Sequence, residues 1–186
     1  RSRLCGVVEA DETFIGGPVE GKRGRGVTKG SHKSLVVGAV EVVSYVDKKG
    51  NACERAGRLR LSSVDAADGE TIGRFLSANV EPAAVIRSDG WKGYSKTALK
   101  GYVHDQRIVG SPELAHVVAV HIHRVFSNLK TWLSGTHHGV EPAYLPAYLD
   151  EYVFRFNRRQ TPMAAFQTLL GIASNKNHVS LVQLRS

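Results

Sequence analysis

The chain has 186 residues, 42% of them hydrophobic and 23% charged, which is enough for one domain with its own core and excludes a disordered polymer. A formal net charge of +8 and a pI near 9.7 suit an extended polyanion as partner. Only Cys5 and Cys53 are present, which excludes a disulfide framework and a four-cysteine zinc site; no apolar run is long enough to span a bilayer, and a reducing cytoplasm is the expected setting.

Arg1, Ser2, Arg3 and Leu4 open the chain without Met or a signal-peptide core and lead almost at once into a strand, so the expectation is that upstream sequence has been removed. Residues 6 to 15 read as that first strand, with Asp11 near its end and Gly16 and Gly17 breaking it. A carboxylate within an apolar strand is costly unless it is paired or bound to metal, which makes Asp11 a candidate working residue. The segment from Gly16 to Lys33 holds six glycines and a run of basic residues and cannot pack a core. It reads either as a solvated hairpin tip or, through Lys22, Arg23 and Arg25, as a nucleic-acid backbone contact that orders on binding.

Ser34 to Val46 is nearly continuous in strand formers, as a central strand covered on both faces should be. After a turn at Lys48 to Asn51, the stretch from Arg58 to Ser62 alternates strictly, with its leucines to one face, and completes an antiparallel meander of three. The period then becomes helical: Ile72, Phe75, Leu76 and Val80 mark one face, Asp68 is the N-cap and Pro82 closes the segment. This crossover leads into a strand at Ala83 to Ser88, expected to lie parallel to the first. Asp11 and Asp89 would then meet at adjacent carboxyl ends, as a pair of oxygen donors suited to Mg2+. Trp91 and Lys92 follow in a glycine-rich loop, where they would touch substrate unless Trp91 plugs the core.

Tyr102 to Val109 reads as a fifth strand, and Ser111, Pro112 and Glu113 as a helix start. The helix that follows carries Ile122, Val125, Leu129, Trp132 and Leu133 as an apolar stripe. At about 100° per residue, His123 and Lys130 sit side by side a quarter turn off that stripe, bordering the core without joining it. Gly135 and Gly139 are expected to end it. Another helix begins near Pro142, with Leu145, Leu149, Tyr152, Val153 and Phe156 inward and a basic end. Thr161 and Pro162 cap a last short helix, with Phe166, Leu169 and Leu170 as its packing residues. The sequence turns polar past Ser174, so residues 1–174 are expected to form the domain and 175–186 a polar tail. Histidines at 116, 121, 123, 137 and 138 give no closed four-ligand spacing, and no structural zinc is expected.

Four ordered blocks carry a family likeness: Glu9 to Thr13 with Gly16 and Gly17, Arg87 to Tyr94, His123 to Gly135, and Tyr148 to Arg159. Together they resemble the catalytic domain of bacterial insertion-sequence transposases of the DDE superfamily, in its ISXO-like branch, from Val7 to about Ala173. The resemblance implies an α/β, RNase H-like domain with a mixed five-stranded sheet, an antiparallel meander plus parallel strands, flanked by helices. It implies metal-dependent cleavage and strand transfer at element ends, with two Mg2+ ions, or Mn2+, held by Asp11, Asp89 and a third group. That third position is Glu or Asn in many members, seven residues ahead of a lysine; here the lysine is Lys130 and the position is His123. Lys130 is expected on the DNA backbone, and Arg124 of the same block joins the expected DNA contacts with Trp91, Lys92, Lys22, Arg23 and Arg25.

His123 departs from the family pattern. A neutral imidazole brings no negative charge and Mg2+ prefers oxygen, so weaker metal retention and better use of Mn2+ are expected. Glu9, Glu12, Asp150 and Glu151 are the alternative third acids, Glu151 foremost, although a helix ion pair with Arg155 is its simpler role. Two other readings share these residues: a remnant that only binds DNA or dimerises, and an RNase H-like nuclease without transposition. Joining two element ends needs two active sites, so a dimer or larger assembly on DNA is expected, with end recognition outside this chain and residence in the bacterial cytoplasm, at the nucleoid.

Overall fold

The computed structural model describes residues 2–16, 33–89, 93–95, 98–106, 119–137 and 140–175. Strands β1 (Val7–Ile15), β2 (Ser34–Val46) and β3 (Ala52–Val64) form an antiparallel meander. Helix α1 (Gly69–Asn79) crosses over to β4 (Val85–Ser88), which runs parallel to β1, and β5 (Val103–Gln106) lies parallel to β4. The sheet order is therefore β3-β2-β1-β4-β5, with β1 at the centre, the α/β, RNase H-like arrangement implied above. Helices α2 (Val120–His137), α3 (Leu145–Asn157, entered through a 3-10 turn at Pro142–Tyr144) and α4 (Pro162–Asn175) complete the chain.

Two apolar cores, one on each face of the sheet, explain why β2 reads as almost unbroken in strand formers. Val37 and Ala39 pack with Val8, Ala10 and α1 through Ile72, Phe75 and Leu76. Val36 and Val40 point the other way, toward Ile122, Val125 and Leu129 of α2 and Leu149 and Val153 of α3. The N-terminus of α1 is held by Asp68, whose side chain accepts the Thr71 amide at 2.8 Å, and Val80 has left the helix to cap its C-terminus. Edge strand β3 is closed by a side chain that imitates a strand: Asn157 accepts the Leu59 amide at 2.7 Å and donates to the Leu59 carbonyl at 3.1 Å.

The structure corrects several boundaries. Strand β3 begins at Ala52, well before the alternating leucines, because pairing with β2 extends it where its own side chains are too polar to announce a strand. Strand β4 begins at Val85, two residues into its apolar run, and residues 107–109 of the expected fifth strand lie outside the described residues. Gly135 lies inside α2, two residues before its last described residue, His137, and Gly139 lies outside the described residues. The largest correction concerns α4: Phe166, Leu169 and Leu170 are 57%, 51% and 55% exposed, so periodicity marked an apolar face that no described residue covers. The helix start at Ser111 and the segment 17–32 lie outside the described residues, as do 176–186 of the expected tail.

Gly38 of β2 sets how close α2 can come. A Cβ there would lie 2.9 Å from Phe126 of α2 and from Leu61 of β3, inside any permitted contact. Gly38→Ala is expected to destabilise the domain by ~1–3 kcal/mol through this overpacking, read as a lower urea midpoint with an unchanged m-value.

Candidate active site

Pairing between β1 and β4 stops at Glu9 opposite Arg87, while β1 continues against β2 as far as Ile15. One edge of β1 is therefore left open at Asp11 and Glu12, beside the carboxyl end of β4, where Asp89 follows Ser88. Asp11 is 7% exposed. Burial, and then the charges of Glu12 and Asp89, push its carboxyl up to about 8, against amide hydrogen bonding and the Lys130 charge, which pull the other way. Glu12, on the opposite face of the strand, is pushed up to about 7 by burial and then by Asp89. Tyr94 is buried next to it and approaches its carboxyl, but neither the Tyr94 hydroxyl nor Glu12 Oε2 completes a well-formed hydrogen bond. Three carboxylates thus crowd one end of the central strands.

Glu9 lies on the same face as Asp11, one strand period earlier, and has a different fate. Its Oε2 accepts the amides of His121 at 2.7 Å and Ile122 at 2.9 Å, two of the four N–H groups that the first turn of α2 leaves without helical partners. Burial raises its carboxyl above the ordinary range in spite of those bonds. This long-range cap docks the start of α2 on β1. The next residue, His123, then stands with Nδ1 3.6 Å from Asp11 Oδ2. Lys130, two turns further along α2, is exposed and near enough for its charge to favour ionised Asp11. Phe126 lies between them on the helix, over Gly38, the residue paired with Asp11.

Asp11, Asp89, His123 and Lys130 are thus brought to one edge of the sheet. Arg124 is exposed and faces a cleft further round α2. Among the alternative acids, Glu12 joins the cluster and Glu9 caps a helix. Glu151 is held by Arg155 at 2.8 Å, and Asp150 lines a separate cleft with Arg3 and Arg60. Lys22, Arg23, Arg25, Trp91 and Lys92 lie outside the described residues. Sequence reading missed Glu9 as a cap, Gly38 as the point of helix approach, and Tyr94 as the buried neighbour of Glu12. An acid two residues before Asp11 was the only available signal for the first of these.

Among the described residues, no three of His, Cys, Asp and Glu converge closely enough to form a ready-made ligand set. The donor chemistry nevertheless fits a hard divalent cation: the desolvated carboxyls of Asp11 and Glu12, with raised proton affinity, are what a positive ion would relieve, and carboxylate oxygen is its preferred donor.

Folded Asp11 binds its proton more tightly than the ordinary value of 3.8, so the folded state holds more protons than the unfolded one up to about pH 8. Without divalent cations, stability should therefore fall as pH rises through that window and level off above it, and Asp11→Asn should flatten the decline of the thermal midpoint. Glu9→Ala should cost ~1–3 kcal/mol by stranding two buried amides, whereas Glu9→Gln, which keeps an acceptor oxygen, should recover most of the loss in urea titrations.

The family described as the ISXO2-like transposase domain matches residues 3–157, from the approach to β1 through the end of α3. No curated protein and no solved structure matches the chain. The family match takes in the strands and the helix that carry Asp11, Asp89, His123 and Lys130 and spans most of the sequence; the chain belongs to the ISXO2-like transposase domain family.

Proposed function

We propose that this chain is the catalytic domain of a DNA transposase that cleaves phosphodiesters at the ends of an insertion element and transfers them into target DNA. The observation that carries the reading is Asp11 within β1, just past the end of its pairing with β4, beside Asp89 at the carboxyl end of β4, with His123 directed at Asp11 from α2. Asp11, Asp89 and His123 would hold divalent metal, two ions per site, and Glu12 adds negative charge beside them. Bound there, Mg2+ or Mn2+ supplies the Lewis acidity that activates water, and then a DNA 3′-hydroxyl, and that stabilises the leaving oxygen of an in-line displacement.

The protein's own groups prepare that chemistry. Asp11 holds a proton up to about pH 8 and would have to release it to hold a metal ion, so retention would weaken as pH falls below that value. The imidazole of His123 partners Asp11 and contributes a nitrogen donor without charge, which favours Mn2+ over Mg2+. Lys130, two turns along the same face of α2 as His123, and Arg124, about 100° round it, offer cations to the DNA backbone, and Trp91, Lys92, Lys22, Arg23 and Arg25 extend that surface in the sequence. Joining two ends requires two such sites, hence a dimer or larger assembly on DNA. No helix among the described residues is long and apolar enough to cross a membrane.

One observation favours a second reading, a DNA-binding remnant: the third position is a histidine, and no ready-made set of three ligands stands among the described residues. A nuclease without transposition would share the site and yield cleaved ends without joined product.

Asp11→Asn and Asp89→Asn are each expected to abolish metal-dependent cleavage of element-end DNA with the far-ultraviolet circular dichroism unchanged; full activity in both overturns the assignment. Cleavage should be stronger with Mn2+ than with Mg2+, and His123→Glu should narrow that difference. A wild-type chain whose stability and DNA processing ignore both ions is the remnant.

A further inference from the structure

A second cleft, of about 480 Å³, lies between the β2–β3 hairpin, the first turns of α2 and the C-terminal end of α3. Arg55, Arg124, Arg159, Tyr45, His121 and Gln160 are among its lining residues. The only acid in its lining, Glu54, is taken up by Arg87, whose guanidinium reaches both carboxylate oxygens at 3.0 to 3.1 Å. Arg159 is fixed in place: it donates to the Ala56, Gly57 and Phe156 carbonyls and stacks on the Phe156 ring at 4.0 Å. Arg55 is steadied by Gln160 at 3.2 Å. No carboxylate among the described residues forms an ion pair with Arg55, Arg124 or Arg159. Burial, and then the neighbouring Arg55 charge, hold Arg159 below the usual arginine range, as expected where cations share a cleft without an anion. Tyr45, 44% exposed, supplies an aromatic wall.

We infer that this cleft seats a phosphodiester group of a DNA strand between Arg55, Arg124 and Arg159, with an adjacent base against Tyr45. Arginine forks match phosphate geometry, and aromatic faces accept any base, so the pairing suits a strand held without regard to sequence. The cleft lies next to the proposed catalytic edge: Arg124 follows His123 directly and is turned about 100° round the same helix. A strand leaving Asp11 and Asp89 would cross the first turns of α2 to reach it. The inference rests on the catalytic reading for the identity of that strand, while the cleft's affinity for DNA can be measured apart from chemistry.

The test is fluorescence anisotropy of a labelled single-stranded oligonucleotide with the 186-residue chain in the absence of divalent metal. Arg55→Ala/Arg124→Ala should weaken binding roughly ten-fold at ~0.1 M salt and reduce the slope of log K against log salt by about 1 to 2. Arg74→Ala, an exposed arginine of α1, should do neither. Tyr45→Ala should weaken oligonucleotide binding while leaving competition by inorganic polyphosphate unchanged, which separates a nucleotide from a free anion. A double variant indistinguishable from Arg74→Ala overturns the proposal, as does a Tyr45→Ala variant with wild-type affinity. Should the double variant fail to fold, Arg124→Ala alone carries the same test with a smaller slope change. Cleavage is read separately on Asp11→Asn: if that variant keeps cleavage, the catalytic reading falls while the cleft stands on its salt dependence.

Discussion

Two carboxylates buried one strand period apart on the same face of β1 meet opposite conditions, and the arrangement of the site follows from that difference. Glu9 is given two amide donors from the first turn of α2, so its burial docks a helix onto the sheet. Asp11 is nearly as buried, but stands beside Glu12 and Asp89, with the His123 imidazole at 3.6 Å, an amide hydrogen bond and the Lys130 charge only partly offsetting its burial. Burial raises the proton affinity of both, but Glu9 gives its oxygen to two helix amides, whereas Asp11, crowded by two further acids, keeps an oxygen for a cation.

That division makes the helix position a property of the strand. Glu9 fixes where α2 begins, Gly38 fixes how near it approaches, and His123 comes opposite Asp11 as a result of both. The opposite face of the same strand is ordinary core at Val8 and Ala10, against α1, before Glu12 joins the acidic edge. Asp89 needs no comparable device. It lies at the edge because β4 stops pairing with β1 at Glu9 while β1 continues, and the step between their ends opens the edge.

The cations are distributed around this acidic edge along α2. Lys130 tempers Asp11, and Arg124 turns away toward a cleft it shares with Arg55 and Arg159, whose one lining acid, Glu54, is held by Arg87. On α2 the positive charge therefore stands at Lys130, beside the acids, and at Arg124, about 100° round the helix from His123. A polyanion drawn along such a surface is held by the flanks and meets the acids only across whatever positive ion they bind. The uncovered apolar face of α4 stands apart from this arrangement, and nothing in the described residues assigns it a role.

Much of the architecture was legible in the chain alone, because it rests on short-range periodicity. The unbroken β2, the Asp68 cap, the stripe of α2 and the order of strands and crossover all follow from patterns a few residues long. Asp11 and Asp89 stood out for the same reason, as acids at the ends of apolar runs. The α4 stripe shows the limit of that method, since periodicity reports that a face is apolar and says nothing of whether another element will cover it. What only the folded chain decided is which acid does what. Glu9, Glu12, Asp150 and Glu151 are equivalent as letters; one caps a helix 112 residues away, one joins the crowded edge, one lines another cleft and one pairs with Arg155. The reason is that desolvation and hydrogen bonding depend on neighbours in space, and a bond between residue 9 and the amides of 121 and 122 leaves no trace in the sequence around either.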